Sequence, residues 1–391
     1  MVMKNILIID DSALMRRVIS DIIESDKRFN VIGAAINGVA GISMLQENIG
    51  HVDAVLLDIN MPRMNGLEFL EELKKQGIKV TVIVVSAVTT NEALETIRAL
   101  ELGAFDFVTK PESLEELRSN EFADRLLKIL AVATNADSEE KPKKAAKPKK
   151  TAVAQKRESG SAAPPKDTGA EYKSVFSAEV LEPIIKKRRQ SRKQAMTTGE
   201  KLVAIACSTG GPRALHSIIP NLPKNLDAAV VIVQHMPGGF TKSLAERLDA
   251  LCPMPVKETE DNEVVKKGVV YIAKGGKQIR IARDRKGNHV IRLTKEEPRF
   301  GLLPCADKLY ESLADTGYSE IICVVLTGMG SDGSAGILEL SKSKKIHVIA
   351  QDENTSIVYG MPRMVALTGL VNEILPLDRI SDAIIKKAGV Q

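Results

Sequence analysis

The sequence predicts an α/β protein of two parallel-sheet domains, the first doubly wound and the second with a hairpin inserted in a mostly parallel sheet. Three observations carry this. Short β-rich apolar runs alternate with helical patterns from Lys4 to about Ala133, the same rhythm returns from Lys201, and a lysine- and proline-rich stretch separates the two. A chain of 391 residues also exceeds what a single core usually serves. The boundaries read as 1–133, 134–199 and 200–391.

In the first domain the strand-like runs are Ile6 to Ile9, Val31 to Ala35, Ala54 to Leu57, Val80 to Val85 and Phe105 to Val108. Helical patterns lie between them, so right-handed crossovers bring the carboxyl ends of all five strands to one edge. From about Asn135 to Thr198 the pattern changes. Lys-Pro-Lys-Lys occurs at 141 and again at 147, followed by Ser, Gly, Ala and Pro-Pro. Such a stretch buries too little apolar surface to offset chain entropy and reads as a flexible linker, with Val175 to Ile185 apolar enough for one short helix. In the last domain Leu202 to Ala206, Ala229 to Val233, Ile321 to Leu326 and His347 to Ile349 are strand-like. Between Pro255 and Leu293 short strands with glycine turns suggest the inserted hairpin.

Composition narrows the function. Tryptophan is absent and aromatic residues make up 3%, which removes the stacking platforms of single-stranded nucleic-acid readers. The formal charge is +5, but residues 131–200 alone hold 16 Lys plus Arg against 9 Asp plus Glu. The basicity therefore belongs to the linker and not to a nucleic-acid face. Cys207, Cys252, Cys305 and Cys323 form no C-x-x-C pair, which suits reduced thiols in a cytosolic protein. No apolar run approaches the ~20 residues that cross a bilayer, and the apolar start ends at Asp10 and Asp11, unlike a signal peptide. The expectation is a cytoplasmic chain with neither a nucleic-acid partner nor a membrane-inserted segment.

Two constellations carry chemistry. Asp10 and Asp11 follow the first strand and Asp58 ends the third, so three carboxylates converge at the crevice where open parallel sheets bind ligands. Their mutual repulsion implies a hard, oxygen-ligated cation such as Mg²⁺. Ser86 and Lys110 end the fourth and fifth strands and supply the hydroxyl and ammonium that a transferred phosphoryl group would need.

In the second domain the strand Leu202 to Ala206 runs into Cys207-Ser208-Thr209-Gly210-Gly211-Pro212 and a helical pattern. A serine at such a turn can expose its hydroxyl while backbone N–H groups face a developing oxyanion, although Ala206 stands where G-x-S-x-G has its first glycine. His235 follows the next strand, and Asp332 lies in Thr327-Gly328-Met329-Gly330-Ser331-Asp332-Gly333 after another. The three strand ends bring a nucleophile, a base and an orienting carboxylate together. The same glycines also spell G-x-G-x-x-G, with Asp352 nineteen residues beyond Gly333, a dinucleotide fingerprint. Too little chain follows for the rest of such a domain, and that reading leaves Ser208 and His235 without a role.

Asp10-Asp11, Asp58 within LLDINMPRMNG, Ser86 and Thr109-Lys110-Pro111 resemble a response-regulator receiver domain. The resemblance implies Asp58 as phosphoacceptor, Asp10, Asp11 and Asp58 as Mg²⁺ ligands, Ser86 and Lys110 as switch residues, a cis Lys110-Pro111 bond and a histidine kinase as phosphodonor. The Ser-Thr-Gly-Gly, Gln-His-Met and Thr-Gly-Met-Gly-x-Asp-Gly strings are similar to the catalytic domain of chemotaxis protein-glutamate methylesterases, the CheB family. That resemblance implies Ser208 as nucleophile, His235 as general base and acid, Asp332 as its orienting partner, and Thr209 and Met329 in oxyanion support. It further implies hydrolysis of glutamate methyl esters on chemoreceptors with release of methanol and without a cofactor, deamidation of receptor glutamines in some members, and a receiver that covers the cleft until phosphorylated. Cys207 stands where the family often has alanine, a difference in packing more than in chemistry. The competing expectation from another class is a scaffold that binds receptors while its hydrolase stays idle.

Overall fold

The computed structural model describes residues 3–111, 113, 116, 120–137 and 199–391. Of the expected linker 134–199, residues 138–198, with the helix expected at Val175 to Ile185, lie outside them. Five strands form the first sheet: β1 (Lys4–Ile9), β2 (Phe29–Ala35), β3 (Ala54–Asp58), β4 (Thr81–Ser86) and β5 (Asp106–Thr109). Their order is β2-β1-β3-β4-β5, every pairing parallel, the doubly wound order whose switch point lies between β1 and β3. Asp10 and Asp58 flank that point.

Helices α1 (Ala13–Glu24), α2 (Gly38–Glu47), α3 (Gly66–Gln76), α4 (Thr90–Leu102) and α5 (Glu121–Ala133) accompany the sheet. Local chemistry sets their ends. Asn65 and Glu68 form a capping box at the start of α3, and Gly77, at φ 68°, ends it, so the loop from Asp58 to α3 is fixed at its far side. Gly66 is required there, because a Cβ would stand 2.5 Å from the Asp58 carbonyl oxygen. The strands are apolar along their whole length because both faces are covered; Ile6, Ile8, Leu56 and Ile83 pack against α1 and α5, and Leu7, Ile9, Leu57 and Val84 lie on the other face.

The second sheet has seven strands in the order β14-β13-β12-β6-β7-β9-β8: β6 (Lys201–Cys207), β7 (Ala228–Gln234), β8 (Val256–Glu258), β9 (Val270–Ile272), β12 (Glu320–Val325), β13 (Ile346–Gln351) and β14 (Glu373–Leu375). All its pairings are parallel. The expected hairpin is present, but beside this sheet and not within it. β8 and β9 extend the main sheet as parallel strands, while β10 (Gln278–Arg283) and β11 (His289–Thr294) form a separate two-stranded antiparallel sheet. The glycine turns between Pro255 and Leu293 gave no sign of which runs return in parallel, since a three-residue strand such as β8 has almost no periodicity.

The chain enters this sheet at β6, moves outward through β7, and returns to the opposite side of β6 with β12. β6 is therefore the switch strand, and the crevice at its carboxyl end is shared with the ends of β7 and β12. The helices beside these strands are α6 (Gly211–Ile218), α7 (Phe240–Asp249), α8 (Ala306–Ser312), α9 (Ser334–Leu340), α10 (Met361–Leu367) and α11 (Leu377–Ala388). The described residues include no helix long and apolar enough to cross a membrane, and all four cysteines are free.

Candidate functional site

Asp10, Asp11 and Asp58 come together as expected, with a carboxylate oxygen of each within 4.8 Å of the others. The Lys110 ammonium lies 3.0 Å from Asp10 Oδ2 and 2.9 Å from Asp58 Oδ2, where a cation must be if these buried carboxylates are to remain charged. Burial pushes the Asp58 carboxyl up to about 6; the Asp10 charge adds to the rise and Lys110 opposes it. Oxygen donors alone, at this spacing and already drawing a cation, fit Mg²⁺.

Ser86 is buried and donates to the Ala87 carbonyl at 3.2 Å, while Thr96 Oγ1 lies 2.8 Å from its hydroxyl. It is thus placed at the pocket edge but turned toward α4. The Lys110 N–H donates to the Ser86 carbonyl at 2.7 Å and ties the two strand ends together. The expected cis Lys110-Pro111 bond is not found; the cis bond among the described residues is Leu303-Pro304. The ion pairs of Lys110 are satisfied without it.

In the second domain Cys207 and Gln234 are register partners on β6 and β7, so Ser208 and His235 follow at neighbouring strand ends, where parallel chains run roughly 4.8 Å apart. The His235 N–H donates to the Cys207 carbonyl at 3.2 Å and the Ser208 N–H to the Thr327 carbonyl at 3.1 Å. These bonds stitch the ends of β6, β7 and β12 into one floor. Gly328 must be glycine there: a Cβ would meet the Ser208 Cβ at 2.8 Å, the Ser208 nitrogen at 3.0 Å and the Met361 sulfur at 2.4 Å. Met329, half-buried, follows directly in the chain.

His235 Nε2 lies 2.7 Å from Asp332 Oδ2, which leaves Nδ1 as the nitrogen available to a serine proton. Asp332 is buried, and backbone N–H groups of Ala306 (2.6 Å), Asp307 (2.9 Å) and Gly333 (3.0 Å) and the Cys305 thiol (3.1 Å) donate to it. Burial alone would raise its pKa, but the bonds from His235 and the backbone outweigh it and hold the carboxyl low, at about 2. A charged Asp332 facing an imidazole is the arrangement that orients a histidine and stabilises its protonated form.

The rival glycine motif finds no dinucleotide geometry. Asp352 is occupied by Thr355, whose N–H and hydroxyl donate to it at 3.0 and 2.6 Å, and the Gly328-to-Gly333 turn packs on Ser208 and Met361.

Contacts between the domains were not legible in the sequence. Thr209, beside Ser208, donates its hydroxyl to Asp106 Oδ2 of β5 at 2.5 Å, so its side chain is held by the first domain. Phe107 stacks on Phe240 of α7 with ring centroids 4.6 Å apart. Glu101 of α4 accepts two bonds from Arg247, at 2.7 and 3.0 Å, and lies 2.7 Å from His216 Nε2. The first domain thus lies directly over the end of β6. Asp106 carries the only sign a sequence could have offered, a charge inside a strand-like apolar run, and a sheet-edge carboxylate explains that equally well.

A doubly wound domain with an acid pocket, docked on an α/β domain with serine, histidine and aspartate at adjacent strand ends, defines a receiver-domain protein with a hydrolase-type effector. Residues 6–120 match the response regulator receiver domain and residues 203–384 match CheB methylesterase. A protein-glutamate methylesterase/protein-glutamine glutaminase of Syntrophomonas wolfei is 38% identical over 98% of this chain and 98% of its own length. Its counterpart in Pyrococcus abyssi is 38% identical over 97% of this chain and 92% of its own. The crystal structure of the Thermotoga maritima CheB methylesterase catalytic domain is 42% identical, with a TM-score of 0.47, covering 49% of this chain and all of that one. The chain belongs to the protein-glutamate methylesterase/protein-glutamine glutaminase family of chemotaxis response regulators.

The close approach at Gly328 yields a direct expectation. Gly328→Ala should displace Ser208 or Met361, lowering stability by about 1–3 kcal/mol and ester hydrolysis at least tenfold, checked by thermal unfolding beside methanol release.

Proposed function

We infer that Ser208, His235 and Asp332 perform the hydrolysis of glutamate methyl esters on chemoreceptors, and that the receiver suppresses it by occupying the same crevice. The observation that carries the first part is the 2.7 Å contact between His235 and a fully buried, charged Asp332 at the strand end beside Ser208. His235 Nδ1 takes the Ser208 proton as Oγ attacks the ester carbonyl, and the imidazolium is held by Asp332. Collapse of the tetrahedral intermediate returns that proton to the departing methanol. Water, deprotonated by the same nitrogen, then attacks the acyl-serine, regenerating Ser208 and leaving the glutamate carboxylate. Backbone N–H groups beside Thr209 and Met329 are suited to the oxyanion, each worth about 3 kcal/mol of transition-state stabilisation. An amide substrate follows the same course with ammonia leaving, which is the glutaminase activity named for the relatives. No cofactor enters either reaction.

Regulation rests on the second contact. The Asp106 carboxylate takes the Thr209 hydroxyl at 2.5 Å and Phe107 fills the surface of Phe240, so a receptor segment cannot reach Ser208 while the receiver is docked. Asp58, phosphorylated by a histidine kinase, sits at the carboxyl end of β3, and Lys110 at the end of β5 joins it to the strand that carries Asp106 and Phe107. Mg²⁺ held by Asp10, Asp11 and Asp58 would offset the negative charge gathered there during phosphoryl transfer. Driving a mostly closed population to a mostly open one needs about 5.5 kcal/mol of differential interaction. The Thr209–Asp106 bond, the Phe107–Phe240 stack and the Arg247–Glu101 ion pair are the contacts that opening has to break. The setting is the cytoplasm, where kinase and receptor signalling domains meet.

Ser208→Ala is expected to abolish methanol release from methylated receptor while leaving the circular dichroism spectrum unchanged; release at near wild-type rate would remove the serine mechanism. Asp106→Ala and Phe107→Ala should each raise the activity of the unphosphorylated chain severalfold and leave that of the phosphorylated chain within about twofold. Equal activities of unphosphorylated wild type and variants would argue against occlusion.

A further inference from the structure

One buried carboxylate near the site is not used by the mechanism above. Asp307, the second residue of α8, is 0% exposed. Its Oδ1 accepts the N–H of Gly333 at 2.9 Å and of Gly336 at 2.6 Å, while its own N–H donates to Asp332 Oδ1 at 2.9 Å. Asp307 Oδ2 is buried with no hydrogen-bond partner. Asp307 and Asp332 therefore exchange backbone donors. Each carboxylate accepts from the segment that carries the other, and Gly333 donates to both.

This exchange fixes the free end of the Thr327-to-Gly333 turn. Its near end is already tied to the nucleophile through the Ser208 N–H and the Thr327 carbonyl. Gly333 stands at φ 93° and Gly330 at φ 85°, so the turn between them depends on two left-handed positions that glycine adopts without a Cβ penalty. Gly336 approaches so closely that a Cβ would lie 2.6 Å from the Asp307 carbonyl, leaving α9 no room to shift against α8. Without an acceptor at residue 307, the buried Gly336 N–H loses its side-chain partner and the Gly333 N–H keeps only Asp332, and the turn that aims Asp332 at His235 can relax.

We propose that Asp307 is a positioning residue of the esterase, its side-chain oxygen clamping the Gly333–Gly336 segment so that Asp332 faces His235 and the Met329 backbone stays beside Ser208. The proposal rests on the serine mechanism inferred above. One further feature of the site agrees with it. Burial and the neighbouring Asp332 charge push the Asp307 carboxyl up to about 7, with Arg299 opposing and Glu311 adding to the rise. Near neutral pH Asp307 can thus hold a proton, which spares Asp332 a second full charge, and an amide in its place is chemically close to the protonated acid. What the role requires is the acceptor oxygen, not the charge.

The test compares Asp307→Leu, Asp307→Asn and Ser208→Ala in the phosphorylated full-length chain, measuring methanol release from methylated receptor. Asp307→Leu, similar in size but without an acceptor, is expected to lower kcat at least tenfold with KM within about twofold. Asp307→Asn, which keeps the acceptor oxygen, should retain kcat within about threefold. The proton shared by His235 and Asp332, followed as a downfield resonance, should persist in Asp307→Asn and be lost or broadened in Asp307→Leu. A folded Asp307→Leu with kcat within twofold of wild type overturns the proposal, and so does an Asp307→Asn that loses tenfold. The second criterion stands even if Asp307→Leu does not fold. Ser208→Ala separates the two levels: if it stays active, the serine mechanism itself is wrong, whereas an inactive Ser208→Ala beside an unaffected Asp307→Leu removes only the role of Asp307.

Discussion

The catalytic half of this molecule is organised around one buried negative charge. Asp332 has almost no access to water, and an unpaired carboxylate there would cost several kcal/mol. The chain meets that cost with three backbone N–H groups, a thiol and an imidazole. Most of the local architecture follows from supplying these donors. α8 begins where its first N–H groups reach the carboxylate, the β12 turn closes on Gly333 so that the next N–H does so too, and His235 is turned by the one lone pair left facing the cleft. Because these donors are fixed within the fold, an imidazolium formed at His235, as the proposed mechanism requires, would meet a field already in place.

The receiver pocket poses the same problem with a different answer. Asp10 and Asp58 are buried beside each other, and the cation that reconciles them in the structure is the Lys110 ammonium, at about 3 Å from both. Phosphorylation adds charge at this point, and the strand that Lys110 terminates is also the strand whose Asp106 and Phe107 hold down the hydrolase. A four-residue strand therefore joins the phosphorylation chemistry at one end to the contact with Thr209 near the other.

Most of the fold and the paired chemistry were legible because they depend on strand ends. Alternation of apolar runs locates the strands, right-handed crossovers align their carboxyl ends, and a residue one or two positions past a strand, such as Asp10, Ser208 or His235, is then placed without knowledge of its neighbours. What was not legible depends on contacts the chain makes with itself over long separations. Asp307 lies in the first turn of a short helix with no pattern to mark it, and its partners are backbone groups, which leave no trace in side-chain identity. Glu101, Asp106, Arg247 and His216 read as ordinary surface charges until the domains meet. β8, β9 and β14 have three residues each, too few for a period-two signal to distinguish a parallel edge from a hairpin arm. The family resemblance foresaw a cis Lys110-Pro111 bond that this pocket does without.

The central claim is that His235 and Asp332 activate Ser208 within a cleft that the receiver covers. Covalent labelling by a fluorophosphonate, which reacts with activated serines, tests both halves at once when the site of attachment is mapped by mass spectrometry and its rate compared with and without phosphorylation of Asp58. The account predicts one label per chain, on Ser208, attached many times faster in the phosphorylated protein. Labelling at another residue, or on Ser208 at the same rate in both states, would contradict it.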